Sequence, residues 1–242
     1  MADTDGDRPF AGKIALVTGA SKGIGAATAL ALGRTGAHVV ITARTASELE
    51  TIEEQIHEAG GSATIAPMDL GEQDSIARLA SAMAGRWDRL DILVHAAAYL
   101  PLPGPVAQID AKDLTVAITT NVLATQALIA SFDPLLRRSE AGRVIGFTSG
   151  VVGRPFPYWG GYGATKAASD FLLECYWREV EKVSKIRVAI VDPGAVRTQM
   201  RARAFPGEDP MTVKPPEVVA DRVIALLQQD FTTGHREVLT AG

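Results

Sequence analysis

Tyr162 and Lys166 stand four residues apart in Tyr162-Gly163-Ala164-Thr165-Lys166. On a helix that spacing puts a phenol and an amine on one face, one turn apart. An isolated phenol titrates near about 10, too high for ready proton exchange at neutral pH, but a cation within a few ångströms lowers an acid by about one to three units. The pair could therefore serve as a general acid and base on an oxygen. Ser149 lies thirteen residues upstream, at the end of an apolar run, where its hydroxyl could donate to the same oxygen and polarise a carbonyl. Alone, Tyr-x-x-x-Lys is a common coincidence on amphipathic helices.

A second constellation supplies something for such a pair to work beside. Thr18-Gly19-Ala20-Ser21-Lys22-Gly23-Ile24-Gly25 follows the apolar run Lys13 to Thr18 and opens into an alanine- and leucine-rich stretch. Glycines there let the backbone turn tightly against a pyrophosphate, and the helix start offers unpaired N–H groups to that anion. The same pattern on its own serves plain helix capping. The next apolar run ends in Ala43-Arg44, where an acid would accept a ribose 2′-hydroxyl and a guanidinium would pair with a 2′-phosphate. Arg44, with Lys22 as a second cation, favours NADP(H) over NAD(H); ordinary solvated charges are the alternative. Asp69, in Met68-Asp69-Leu70, could accept from an adenine amino group or cap a helix before Glu72.

These residues need elements to hold them. Short apolar runs at Lys13–Thr18, Ala37–Thr42, Ser62–Pro67, Leu90–His95, Arg143–Ser149, Ile186–Asp192 and His235–Thr240 alternate with stretches long enough for helices. Leu49, Ile52 and Ile56 show the helical spacing between the second and third runs. Seven strands and six helices predict an α/β fold: one doubly wound, Rossmann-like domain over 1–242, a seven-stranded parallel sheet with helices on both faces and ligands at the strands' carboxyl ends. The Tyr162 helix is expected to run to about Lys185. Residues 196–216, with four prolines and no sustained period, read as a loop that could cover a substrate.

The combination resembles the short-chain dehydrogenase/reductase family, in which a Thr-Gly-x-x-x-Gly-x-Gly turn, an asparagine, a serine and Tyr-x-x-x-Lys occur in this order. The resemblance covers about residues 10 to 200 closely. It implies hydride transfer between a nicotinamide and a small carbonyl or alcohol. Tyr162 would be the proton donor or acceptor, Ser149 would position substrate, and Lys166 would tune Tyr162 and hold the nicotinamide ribose. Asn121 would support a proton-relay water; without the family it is an ordinary polar helix residue. The resemblance also brings Pro193, Gly194, Val196 and Thr198 to the nicotinamide, and Leu70 and Ala97 to the adenosine end. Family members are usually dimers or tetramers built on the helices carrying Asn121 and Tyr162, so a homodimer or homotetramer is implied. Where the family usually shows Asn-Asn-Ala-Gly, this chain has His95-Ala96-Ala97-Ala98. That departure predicts a lost tie between strands and a looser adenosine end, with His95 a satisfied buried histidine.

Composition narrows the partners. The 242 residues are 47% hydrophobic and 21% charged, with net charge −4 and scattered basic residues, so nucleic acid is not expected. No apolar run approaches the roughly 20 residues of a membrane span, and Met1 to Pro9 lacks a signal-like core, so a cytoplasmic location is expected. One cysteine excludes an intrachain disulfide, and four dispersed histidines offer no metal spacing. Arg197, Arg201 and Arg203 leave open a 3-oxoacyl-thioester reductase that receives an acidic carrier protein. A dinucleotide sensor without catalysis would need only the glycine turn. Tyr99, Phe156, Tyr158 and Trp159 lie in the expected pocket walls and suit a lipophilic or aromatic substrate.

Overall fold

The computed structural model describes residues 8–239. Its strands are β1 (Ile14–Thr18), β2 (His38–Thr42), β3 (Ser62–Ile65), β4 (Ile92–His95), β5 (Arg143–Phe147), β6 (Arg187–Asp192) and β7 (His235–Val238). They form one sheet in the order β3-β2-β1-β4-β5-β6-β7, every neighbouring pair parallel. All seven expected runs are strands, trimmed at their ends; Thr240, at the end of the last run, lies outside the described residues. The chain winds outward from β1 to β3, then restarts at β4 on the other side of β1. This reversal opens a crevice beyond the carboxyl ends of β1 and β4, where doubly wound sheets bind ligands.

The inner strands are largely apolar because both sheet faces are covered there, whereas the edge strand β7 reads His-Arg-Glu-Val with alternate residues exposed. Successive side chains alternate, so Ala15 and Val17 join one core while Ile14 and Leu16 join the other. The first core receives Leu32 from α1 (Gly23–Arg34), Leu49, Ile52 and Ile56 from α2 (Ala46–Glu58), and Val219 and Val223 from a C-terminal helix. The second takes Met83 from α3 (Ser75–Arg86), together with residues from the helices of the next two crossovers.

More helical segments appear among the described residues than the expected six. The β4–β5 crossover holds α4 (Ala111–Ile118) and α5 (Ala124–Leu136), joined without a break through a π turn at Thr119–Leu123. This 26-residue stretch is apolar and long enough, by length and composition, to cross a bilayer, unlike the short runs expected. Within it, Leu128, Phe132 and Leu136 pack into the second core. A single turn, α6 (Gly150–Gly153), precedes α7 (Gly160–Val180). Helix α7 stops five residues before the expected Lys185: past Val180 the ladder gives way to a tighter turn, with the Val183 N–H bonded three residues back to the Val180 carbonyl at 3.2 Å and the Ser184 hydroxyl donating to that carbonyl at 3.0 Å.

The 196–216 stretch is not structureless. Thr198 caps α8 (Gln199–Ala204) by accepting from the Arg201 N–H at 3.2 Å, and a 3-10 turn follows at Pro210–Thr212. Arg201 grips Glu208 through two bonds of 2.7 and 2.6 Å, and Phe205 stacks on Trp159 with ring centroids 5.6 Å apart. Arg203 donates to the Leu100 carbonyl. These contacts fold α8 against the loop after β4 and the start of α7. The last helix, α9 (Pro216–Gln228), then returns the chain to β7.

Candidate active site

The glycine turn is shaped by close approach. Gly19 has φ +65°, and a Cβ there would lie 2.7 Å from the backbone N and Cα of Ala97; a Cβ on Gly25 would lie 2.2 Å from the Gly19 carbonyl oxygen. Gly23 has φ +58° and begins α1, whose N-cap residue Lys22 makes no side-chain cap and whose first turn carries no acid. The helix start thus presents N–H groups and positive partial charge with no resident side-chain anion on its own turn. The loop after β6 meets it: a Cβ on Gly23 would lie 3.1 Å from the Thr198 methyl. In that loop Gly194 has φ +63°, Asp192 accepts the Gly194 N–H at 3.0 Å, and Val196 is buried. Ile24, beside the turn, packs against the first core.

Expected loosening at His95-Ala96-Ala97-Ala98 is offset. The Thr18 hydroxyl lies 2.8 Å from His95 Nδ1 and accepts the Ala97 N–H at 3.2 Å, so the ends of β1 and β4 stay tied without the family's asparagine. His95 is a satisfied buried histidine. Burial, and secondarily the Lys166 charge, push it down to about 3, so the ring is neutral and its Nδ1 can accept from Thr18.

A cleft of about 610 Å³ is lined by Arg44, Ala66, Met68, Asp69 and Arg78, and so includes two of the residues expected to meet the adenosine. Arg44 is exposed and makes no ion pair among the described residues. Lys22 is not a free cation: its Nζ lies 2.9 Å from Glu48 Oε1. Sequence reasoning missed Glu48, although Thr45-x-x-Glu48 is the capping-box spacing that places it in the first turn of α2. Asp69 caps no helix. Its Oδ1 accepts the Gly71 N–H at 2.8 Å, while α3 starts at Ser75 behind Asp74, which has φ +60°. Leu70 packs on the second core.

The chemical end rests on α7. Tyr162 is partly buried and meets Trp159 edge-on at 6.0 Å, while Lys166 is buried one turn on. Asn121 sits in the π turn with every side-chain N–H used. Its Nδ2 donates to the Tyr99 carbonyl at 2.8 Å and Thr165 Oγ1 at 2.9 Å, and its Oδ1 accepts the Tyr99 N–H at 2.7 Å. Thr165 in turn donates to the Tyr162 carbonyl at 2.9 Å. Asn121 therefore clamps the loop after β4 to the helix of Tyr162, and its amide protons are not free for a relay water. Ser149 follows β5 as the N-cap residue of α6 in extended backbone, and the neighbouring Thr148 hydroxyl donates to Asp170 of α7 at 2.8 Å.

Electrostatics correct one expectation. Lys166 does not pull the phenol down: burial, reinforced by the Asp192 carboxylate, pushes Tyr162 up to about 12. Burial also brings Lys166 down to about 8 against the opposing pull of Asp170. Both shifts favour the uncharged forms, as burial does, so the phenol holds its proton. Around it, Leu100, Pro101, Pro103, Ile109 and Trp159 form an apolar wall. Of the three arginines considered for carrier docking, Arg201 pairs with Glu208 and Arg203 donates to the Leu100 carbonyl.

Residues 13–209 match the family model described as short chain dehydrogenase. The Uncharacterized oxidoreductase YciK of Escherichia coli K12 is 33% identical over 222 residues, covering 90% of this chain and 87% of that protein. A solved short-chain dehydrogenase from Pseudomonas syringae superposes with a TM-score of 0.91 at 33% identity over 96% of each chain. One from Shigella flexneri, solved with NADP, does so with a TM-score of 0.91 at 30% identity, covering 96% of this chain and 98% of that one. With its parallel sheet wound about β1 and β4 and its Tyr162-x-x-x-Lys166 helix beside the switch point, this chain belongs to the short-chain dehydrogenase/reductase family and is an oxidoreductase.

Proposed function

We propose that this enzyme is NADP(H)-dependent and interconverts a small lipophilic carbonyl compound and its alcohol, with Tyr162 as general acid and base. The observation that carries the reading is Tyr162 one turn before the buried Lys166 on α7, in a chain whose α1 starts from a glycine turn with no side-chain cap. The donors fit a dinucleotide: open N–H groups at α1 for a pyrophosphate, the exposed Arg44 for a 2′-phosphate, and Asp69 on the adenine side of the same cleft. NADP in the Shigella flexneri relative supports the choice.

When bound, NADP(H) supplies or accepts the hydride. Tyr162 gives its proton to the carbonyl oxygen in reduction and recovers it from the alcohol in oxidation. Ser149 donates a hydrogen bond to the same oxygen as negative charge builds there. Lys166 holds the nicotinamide ribose hydroxyls and, when charged, stabilises the tyrosinate. Asn121 acts as a positioning residue through Tyr99 and Thr165. Pro193, Gly194, Val196 and Thr198 orient the nicotinamide, and α8 covers the substrate, with Trp159 and Phe205 as an aromatic wall. The chain works as one domain in a homo-oligomer.

The test is turnover by purified protein with NADPH and a panel of aldehydes, ketones and diketones, followed at the nicotinamide absorbance band. Consumption of NADPH with at least one carbonyl class is expected. Tight NADPH binding with no turnover across the panel would favour a cofactor sensor over this reading.

A further inference from the structure

The cations that would read a 2′-phosphate are already partly engaged. Lys22 Nζ lies 2.9 Å from Glu48 Oε1, and the proximity of Lys22 and Ser21 holds the Glu48 carboxyl below its usual range. Arg44, on the rim of the adjoining cleft, adds its field to Glu48 without pairing with it. Glu48 is held there by its place in the first turn of α2, where the helix favours an anion. Both partners are substantially exposed, Lys22 at 50% and Glu48 at 39%, so the pair is weak enough for an incoming anion to break.

We infer that Glu48 is a specificity-determining residue: its carboxylate stands in for the 2′-phosphate at Lys22, and NADP(H) binds by displacing it, whereas NAD(H) has no phosphate to compete. This rests on the reading of Arg44 and Lys22 as phosphate ligands. The chain therefore discriminates less sharply between the two cofactors than its cations alone dictate. Neutralising Glu48 removes the ion pair with Lys22 and a like charge from beside the dianion, without altering the glycine turn or the pyrophosphate donors.

The experiment titrates the parent, Glu48→Gln and Arg44→Ala with NADPH and NADH by nicotinamide fluorescence, and with adenosine 2′,5′-bisphosphate as a competitor. Gln keeps the shape and a hydrogen-bonding carbonyl, so only the charge is changed. Glu48→Gln is expected to tighten NADPH and the bisphosphate about two- to tenfold while moving NADH by less than about twofold, the gain shrinking as salt is raised. Unchanged or weaker NADPH binding, or equal tightening of NADH, overturns the inference. If Arg44→Ala selectively weakens NADPH while Glu48→Gln changes nothing, the role of Glu48 fails and the NADP(H) reading stands. If Arg44→Ala weakens both cofactors equally, the phosphate site fails and takes the inference with it.

Discussion

The Thr18 hydroxyl lies 2.8 Å from the His95 imidazole and fastens the end of β1 to the end of β4 at the point where the sheet reverses its winding. Because His95 is held near 3, below its ordinary value of about 6.5, the unfolded chain takes up a proton that the folded chain refuses as the pH falls below about 6.5. Stability contributed by the neutral ring is full above that pH and is lost progressively toward 3. The parent should lose about 1–2 kcal/mol from this group between pH 7 and pH 5. In His95→Asn, which keeps a polar side chain beside Thr18, urea midpoints should fall less over the same interval; parallel curves would contradict the titration.

Lys166 is lowered to about 8 by burial, so its charged form is a cost to the folded protein that is fully present below pH 8 and relieved as pH rises toward about 10.5. Lys166→Met should therefore stabilise the cofactor-free enzyme at pH 7 by about 1–3 kcal/mol, with the gain fading between pH 8 and 10.5, while turnover falls about 100-fold or more. Thermal midpoints across that range check the sign.

Asn121→Ala strips partners from both backbone groups of Tyr99 and from Thr165 at once. Leaving such groups unsatisfied should cost about 2–4 kcal/mol in urea unfolding and lower kcat through a displaced Tyr162 helix. An unchanged unfolding midpoint would show that the clamp is not what holds the loop after β4.

Gly19 and Gly12 both have positive φ, +65° and +73°, but only Gly19 faces a neighbour: nothing lies within 4 Å of a Cβ on Gly12. Gly12→Ala should carry the backbone cost alone, about 1 kcal/mol, and leave NADPH affinity intact. Gly19→Ala should cost at least about 2 kcal/mol and weaken NADPH, because the Ala97 backbone cannot withdraw without breaking its bond to Thr18. Equal effects would place the constraint in φ alone.

Much of this was legible in one dimension. The strand runs could be read because strands buried on both faces leave continuous apolar segments, and the glycine turn and Tyr162-x-x-x-Lys166 because their chemistry depends on spacing along one element. What stayed hidden depends on distant partners. The π turn at Asn121 is bound to Tyr99 and Thr165, 22 and 44 residues away, and carries no local mark. Helix α8 lacks an apolar period and is held by Trp159 and Leu100. Lys22 looked free because Glu48 is 26 residues further along. The direction of the Tyr162 shift follows from burial, which spacing does not report.

The central claim, that the Tyr162 phenol carries the proton of the reaction, is tested most directly by Tyr162→Phe. The substitution removes one oxygen and leaves the ring against Trp159. With whichever carbonyl the panel identifies, it should reduce kcat by about 100-fold or more while the NADPH dissociation constant, measured by fluorescence, moves by less than about threefold. Turnover equal to the parent, with NADPH still bound, would contradict the account.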